Sequence, residues 1–164
     1  MSTLVRKLLL MGIVISCVPA CMIVNDFKEN LKAYEHKPED QFPFHHSSPE
    51  FRVSWDTQRS GNDTIVDGLV TNVRNTTVQG ISLKIDLLDA DGKRLTQGVA
   101  PPTALNLKIY DTFSFNAILK DTQIAPGNIL FFIITYSTYS GSWGGNSEQK
   151  SFKVEATSGN EIEK

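Results

Sequence analysis

The seven residues Ile81-Ser82-Leu83-Lys84-Ile85-Asp86-Leu87 alternate strictly between apolar and polar side chains. A period of two places the apolar set on one face of a β-strand and the polar set on the other. Similar runs recur after Phe51 between turn residues, and no convincing helical period appears there. These runs are 51–55, 65–73, 81–87, 93–99, 105–109, 113–119, 128–136 and 150–155. The sequence therefore predicts an all-β fold, an antiparallel immunoglobulin-like β-sandwich over 50–156.

The segment Asp89-Ala90-Asp91-Gly92 can be interpreted as a calcium-binding loop or as a hairpin turn. An EF-hand loop needs oxygen ligands at positions one, three, five and twelve, with glycine at six. With Gly92 at position six, Leu87 falls at position one and Gly98 at position twelve. Two required carboxylates are therefore missing. Because aspartate and glycine tolerate the backbone conformations of hairpin turns, the sequence favours a turn.

The same region carries a family resemblance. The segment 85–89, Ile-Asp-Leu-Leu-Asp, is followed by Asp91-Gly92-Lys93 and resembles the Phe-x-Leu-Tyr-Asp pattern of the FxLYD domain family. Upstream, Val66-x-Gly68-x-Val70-x-Asn72 is similar to the Gly-x-Val-x-Asn strand of that family. Further on, Phe113-x-Phe115 resembles its later strand. The resemblance covers about 51–155 of the chain.

Three positions depart from the family pattern. Ile85 replaces the phenylalanine, Leu88 replaces the tyrosine, and Ile109-Tyr110-Asp111 stands where Pro-Gly-Glu is usual. The resemblance implies a small extracytoplasmic β-sandwich without a shared catalytic site. It therefore transfers no functional residues to this chain.

The N-terminus predicts a secretory signal over 1–20. Arg6 and Lys7 precede an apolar stretch at 8–18, and Val-Pro-Ala then leads to Cys21. This arrangement resembles a bacterial lipobox, in which the cysteine is acylated and becomes the new N-terminus. Simple secretion after cleavage at the same bond and an uncleaved anchor are the alternatives. The apolar run contains a proline and is marginal for spanning a bilayer.

Cysteine content agrees with lipidation at Cys21. The chain contains two cysteines, and Cys17 leaves with the signal, so the mature protein has no internal disulfide. Two acyl chains give firm membrane attachment, whereas one gives marginal binding. Met22 after the cysteine resembles the outer-membrane sorting pattern. We therefore expect a lipid-anchored cell-envelope protein, on the outer membrane facing the periplasm if the cell is Gram-negative.

The segment 21–49 reads as a tether between the anchor and the sandwich. Apolar residues at helical spacing predict a short helix near 26–35, and the proline-rich remainder predicts a linker. His36, His45 and His46 lie in this segment and suggest a metal site as an alternative. However, their spacing does not fix two imidazole rings on one helical face, so we predict a solvated linker and no metal site. The residues 157–164 are predicted to form a disordered tail.

The sequence gives no pattern of a catalytic site. Around Ser142 the chain lacks the first glycine of a Gly-x-Ser-x-Gly elbow, and all three histidines lie before residue 50. A net charge of −2 without a basic cluster argues against nucleic-acid binding. We predict a non-enzymatic protein with no catalytic residues and no cofactor.

Two features indicate binding surfaces. The loop 136–146 contains Tyr136, Tyr139 and Trp143 among serines and glycines, a composition suited to recognition of sugars or peptides. The sequence favours the other interpretation of this loop, in which Tyr136 and Trp143 fold back to cover the end of the core and the glycines supply the turn. The uninterrupted apolar run 130–134 implies cover on both faces of its strand, by the tether, by more chain or by a partner, which includes self-association.

These observations predict a non-catalytic, membrane-anchored lipoprotein that acts as a cell-envelope interaction or structural module. Its partners would be the membrane, through the N-terminal lipid, and an envelope protein or glycan. The alternative is a carbohydrate- or peptide-binding domain that uses the loop 136–146. A metal-dependent activity of the three histidines is the third hypothesis.

Overall fold

A computed structural model describes residues 37–101, 106–138 and 146–162 of the chain. The chain divides into two compact units, Met1–Lys37 and Pro38–Lys164, and the described fold belongs to the second. That unit starts with a 3₁₀ turn at Glu39–Gln41. The described residues then form nine strands: Phe44–Ser47 (β1), Phe51–Ser60 (β2), Asp63–Asn72 (β3), Val78–Leu88 (β4), Arg94–Ala100 (β5), Asn106–Leu107 (β6), Thr112–Leu119 (β7), Ile129–Thr138 (β8) and Asn146–Glu155 (β9).

The strands form two antiparallel sheets that pack face to face. The first sheet has the order β1-β2-β3-β7, and the second has the order β5-β4-β8-β9, with β6 also paired to β4. The chain changes sheet between β3 and β4, between β6 and β7, and again between β7 and β8. Two packed antiparallel sheets with such crossovers make an immunoglobulin-like sandwich. The predicted fold class is confirmed.

The core follows the alternation in the sequence. All four apolar residues of 81–87 are fully buried, which confirms the inward face predicted for β4. Aromatic rings from both sheets meet at the centre of the core. The Trp55 ring on β2 lies 4.9 Å from the Phe132 ring on β8, which stacks at 4.7 Å on Phe152 of β9. Close-packed aromatic side chains of this size dominate the stability of a domain without crosslinks.

The segment 89–92 is the turn between β4 and β5. The Asp89 carboxylate accepts hydrogen bonds from the backbone N–H groups of Asp91 at 3.0 Å and Lys93 at 2.9 Å. Gly92 has a φ of 81°, which is in the left-handed region that favours glycine. The Asp89 side chain thus stabilises its own turn, and the interpretation of this segment as a hairpin turn is confirmed.

Strand β1 lies inside the segment 21–49 that the sequence predicts as a tether, and it corrects the end of that segment. All four residues of β1 pair with β2, and the Phe44 ring lies 5.8 Å from the Trp55 ring. The prolines and histidines around it indicated a solvated linker. However, Phe44 and His46 alternate onto the inward face, where aromatic rings of the core pack against them. The sandwich therefore begins before residue 50.

The C-terminal segment corrects a second boundary, because 157–164 was predicted to be disordered. The Asn160 carbonyl accepts a hydrogen bond from the Glu155 N–H at 2.8 Å, and the Lys153 carbonyl accepts one from Ile162 at 2.9 Å. Gly159, with a φ of 71°, allows the reversal that brings these residues back beside β9. The chain through Ile162 thus extends the second sheet, and 163–164 lie outside the described residues.

The apolar run 130–134 is the central part of β8. Its even-numbered residues point into the core, and Phe131 and Ile133 lie on the outer face. Ile133 is nevertheless only 9% exposed. Its register partner on β4 is Lys84, and the Lys153 ammonium lies 5.2 Å from the centre of the Phe131 ring. Long charged side chains therefore supply part of the cover predicted for this face.

Candidate interaction site

One side of the sandwich carries two strand edges next to each other. Among the described strands, β1 is at the edge of the first sheet and β9 at the edge of the second. The His46 ring on β1 stacks on the Phe152 ring of β9, with ring centres 3.8 Å apart and an interplanar angle of 10°. The two edges are therefore adjacent, and another chain can approach both from the same side.

A groove of about 760 Å³ runs along these edges, and we call it the edge groove. This volume lies in the range that is typical of ligand sites, roughly 300–1,000 Å³. Its walls come from β1, the β1–β2 turn, β8, β9 and the C-terminal segment. The residues that line it include His46, Pro49, Phe131, Ser151, Phe152 and Ile162.

The backbone of β9 presents hydrogen-bonding groups to the edge groove. The N–H of Glu155 and the carbonyl of Lys153 bond to the C-terminal segment on the side away from β8. Because backbone groups alternate in direction along an antiparallel strand, those of Ser151 and Gln149 point to the same side. The C-terminal segment reaches only the 153–155 end of β9. Ser151 lines the groove, and its backbone groups lie with those of Gln149 on the part of the β9 edge that the C-terminal segment leaves uncovered, where a further strand can pair with them.

Charged groups line the rim of the edge groove. The Nδ1 atom of His46 lies 3.5 Å from a carboxylate oxygen of Glu161. Burial lowers the pKa of His46 below its ordinary value of 6.5, and the nearby Glu161 carboxylate opposes this shift. The imidazole is therefore largely neutral at neutral pH and packs as an aromatic ring. Lys153 places a cation on the outer rim, above Phe131.

Tyr136 lies on β8 and does not form a surface site. It is 1% exposed, and its ring packs edge-on against Phe51 at 4.9 Å. Its hydroxyl donates a hydrogen bond to Glu148 at 2.7 Å and accepts one from Arg74. Burial and the Glu148 carboxylate raise the pKa of Tyr136 to about 12. This corrects the prediction that Tyr136 binds a ligand, because a ring in the core cannot stack on a sugar or peptide.

Arg74 and Glu148 form a polar cluster around the Tyr136 hydroxyl. Arg74 bonds to Glu148 at 2.7 Å and holds the pKa of Glu148 at about 2, with a further contribution from Tyr136. Asn72 positions the loop that carries Arg74. Its side chain donates to the carbonyl of Leu107 at 2.9 Å and accepts from the Arg74 N–H at 3.0 Å. All these groups stabilise one end of the sandwich, which is a structural role.

The other predicted site residues lie outside the described residues. They are Tyr139, Trp143, Cys21 and His36, and the predicted helix near 26–35 lies outside as well. Acylation of Cys21 and ligand binding by Tyr139 and Trp143 therefore stay predictions. In the part of the chain that the structure describes, no helix has the length and apolar character to cross a membrane.

His45 and His46 do not combine into a metal site. They are consecutive on β1, so their side chains point to opposite faces of the sheet. His45 Nδ1 lies 2.9 Å from the Ser54 hydroxyl, whereas His46 packs on Phe152. Over 37–101, 106–138 and 146–162, no three His, Cys, Asp or Glu side chains are grouped closely enough to hold a metal ion.

Sequence reasoning missed the edge groove. Two signals could have found it: the Phe44-x-His46 alternation beside the linker prolines, and Phe131 on the outer face of an apolar strand. Neither signal shows by itself that β1 and β9 become neighbours. That proximity depends on which strands end at the sheet edges, and local sequence patterns do not encode this order.

Comparison with known proteins gives weak similarities. No family model matches the sequence, and no curated protein matches it. The GAE domain of GGA2p from Saccharomyces cerevisiae has a TM-score of 0.41 and 14% identity, covering 66% of this chain and 93% of that one. A protein from Archaeoglobus fulgidus has a TM-score of 0.37 and 15% identity, covering 69% and 98%. R. palustris CsgH has a TM-score of 0.33 and 20% identity, covering 60% and 87%. Similarities at this level assign neither a family nor a function to the chain.

Proposed function

We propose that this protein is a non-catalytic, lipid-anchored module of the bacterial cell envelope that binds an extended segment of another envelope protein in the edge groove. The observation that carries this proposal is the row of outward-pointing backbone groups on β9 beside an apolar groove floor. When a strand is added to a sheet edge, main-chain hydrogen bonds give affinity and side-chain pockets give specificity.

The edge groove supplies contacts for both faces of an added strand. Side chains of a strand alternate between its faces, so those on the inner face would meet His46 and Phe152. Those on the outer face would meet Phe131 and Lys153. Burying two apolar side chains contributes about 3–6 kcal/mol before the ordering costs of binding. An acidic residue on the outer face would pair with the Lys153 ammonium.

Support for the membrane anchor comes from the sequence. The basic start, the apolar stretch and Cys21 after small residues are typical of a lipoprotein signal. Intact-mass analysis of the protein in the membrane fraction tests this part. We expect a chain that begins at Cys21 with the added mass of its acyl groups. A mature chain that retains Arg6 and Lys7 would contradict it.

Peptide selection tests the binding part. A peptide library displayed on phage is selected against the folded protein, and hydrogen exchange then locates each selected peptide. We expect slower exchange of the Gln149 and Ser151 amides, because an added strand forms hydrogen bonds with them. Ser151→Pro removes one outward-pointing N–H. It should weaken binding of the selected peptides about tenfold, because the complex loses one main-chain hydrogen bond.

Ser151→Ala is the matched control, since it removes the hydroxyl and keeps the N–H. It should bind as the unmodified protein does. Both variants should keep the unmodified melting temperature, because proline is tolerated where the N–H of an edge strand faces solvent. Peptides that protect other amides, or equal affinity of the proline and alanine variants, would exclude strand addition at β9.

A further inference from the structure

A tight turn at 108–111 joins β6 to β7 at one end of the sandwich. The Asp111 N–H donates to the Lys108 carbonyl at 3.1 Å and closes the turn. Two further bonds attach the turn to the end of β3: the Tyr110 N–H donates to the Asn72 carbonyl at 2.7 Å, and the Asn72 N–H donates to the Asp111 carbonyl at 3.0 Å. Three backbone hydrogen bonds therefore hold the turn in one conformation and fix the direction of its side chains.

Tyr110 occupies a backbone conformation that suits glycine. Its φ is 67°, in the left-handed region where a Cβ atom meets the backbone. A tyrosine at such a position is strained relative to a glycine. Packing within the domain offsets little of this strain, because Tyr110 is 69% exposed. The fold thus does not explain why an aromatic side chain stands at this position.

The residues 108–110, which we call the turn apex, are all exposed. Ile109 is 39% exposed, which adds an aliphatic side chain beside the Tyr110 ring. The Asp111 carboxylate accepts a hydrogen bond from the Lys108 N–H at 2.8 Å and is therefore directed back into the turn. The apex presents an aliphatic group, an amphipathic ring and a cation. Tyrosine is enriched at membrane–water interfaces, and the lysine cation is attracted to anionic headgroups.

We propose that the turn apex inserts into the headgroup region of the lipid bilayer that holds the chain. This inference rests on the proposed acylation of Cys21, which keeps the domain near the bilayer. Tyr110 and Ile109 would enter the interface, and the Lys108 ammonium would contact lipid phosphates. The domain would then rest on the membrane in a preferred orientation.

The small area of the turn apex favours a bilayer over a protein partner. Two side chains offer at most about 200 Å² each, whereas a stable protein interface buries about 800 Å² per partner. An anchored domain needs far less contact area. Its second contact is intramolecular, so the bilayer is always present at a high effective concentration.

A fluorescent label next to Tyr110 tests the inference. The acylated protein with Ile109→Cys is labelled with an environment-sensitive fluorophore and placed in vesicles of phosphatidylethanolamine and phosphatidylglycerol. Acylation consumes the Cys21 thiol, so the label reacts at position 109. The matched control is Ile118→Cys, because Ile118 is an exposed isoleucine on the face of β7, at 41%. We expect a blue shift and quenching by spin-labelled lipids at position 109, and a water-like spectrum at position 118.

Tyr110→Gly separates the lipid contact from folding. Removing the strain should raise the melting temperature by about 3 °C. Removing the ring should lower the inserted fraction about tenfold. Less insertion by a more stable protein cannot result from unfolding. Unchanged insertion would overturn the inference.

Three other results would also overturn the inference, for different reasons. In the first, the protein floats with the vesicles but its label at position 109 stays in water, which means that the anchor is present and the apex does not contact lipid. Protein that does not float lacks the anchor itself, and intact mass then shows whether Cys21 is acylated. A label protected in native membranes but not in pure lipid vesicles indicates a protein partner for the apex.

Discussion

Gly68 on β3 is, among the glycines that the structure describes, the one where an added methyl group would make the closest contact. A Cβ atom at Gly68 would lie 2.2 Å from the backbone oxygen of Ser54 and 2.8 Å from the ring of Phe115. A side chain can rotate away from such a contact, but a backbone oxygen in a neighbouring strand cannot. Gly68→Ala therefore forces β2 and β3 apart where they pair.

The free energy of unfolding of Gly68→Ala follows from two opposing effects. Overpacking a core costs about 1–3 kcal/mol and occasionally more, and the rigid oxygen places this site at the upper end. Replacing a strand glycine by alanine recovers about 0.5–1 kcal/mol of backbone entropy. We expect a net loss of about 2–3 kcal/mol. For a domain of this size, that lowers the melting temperature by about 10 °C.

Gly98 on β5 provides the matched control. A Cβ atom there would lie 3.1 Å from the Ile118 oxygen and 3.2 Å from the Ala117 and Leu119 side chains. These contacts are tight but can relax, so Gly98→Ala should change the free energy of unfolding by less than about 1 kcal/mol. Thermal melts and urea titrations by circular dichroism measure both variants. Two results would refute the reasoning. One is a Gly68→Ala melting temperature within about 2 °C of that of the unmodified protein, and the other is a lower melting temperature for Gly98→Ala than for Gly68→Ala.

The remaining predictions concern Asn72, Glu148 and Trp143. Asn72→Ala removes the side-chain hydrogen bonds to the Leu107 carbonyl and from the Arg74 N–H at a buried position, and should lower the free energy of unfolding by about 2–4 kcal/mol. The exposed Asn75→Ala should change it by less than about 0.5 kcal/mol, and urea titrations measure both variants. The Glu148 pKa is about 2 in the folded protein against an ordinary 4.5, so its stabilising effect is complete above about pH 4.5 and is lost as the pH falls towards 2. Glu148→Gln should therefore make the acid decline of the urea midpoint shallower; an unchanged slope would contradict this role. From the sequence, we expect Trp143→Ala to lower the melting temperature; lost glycan or peptide binding at an unchanged melting temperature would instead favour recognition by the loop 136–146.

The strand pattern of the sandwich could be predicted because burial leaves a local signature. Every second residue of 81–87 is apolar, and each of these residues is buried. The turn at 89–92 was readable for a similar reason, since aspartate and glycine have specific backbone preferences. Such features depend on neighbours in the sequence, so the sequence alone contains the information.

Other features depend on partners that are distant in the sequence. The segment 44–47 looks polar because two of its four residues are histidines, yet His46 is stabilised by stacking on Phe152, more than a hundred residues away. Tyr136 looked like a loop residue suited to binding, but the register of β8 turns its ring inward. The left-handed φ of Tyr110 has no sequence signal, because tyrosine is not a residue expected there.

The two sides of the sandwich differ, and this difference affects whether molecules at high density can pair edge to edge. On the side opposite the edge groove, β5 packs against β7, and Gly98 lets the two backbones approach closely. A domain that could accept a strand on both sides would form chains of molecules at the high densities found on a membrane. If a strand is added only at the edge groove, as proposed, edge-to-edge pairing of sheets would stop after one addition and would not propagate a fibre.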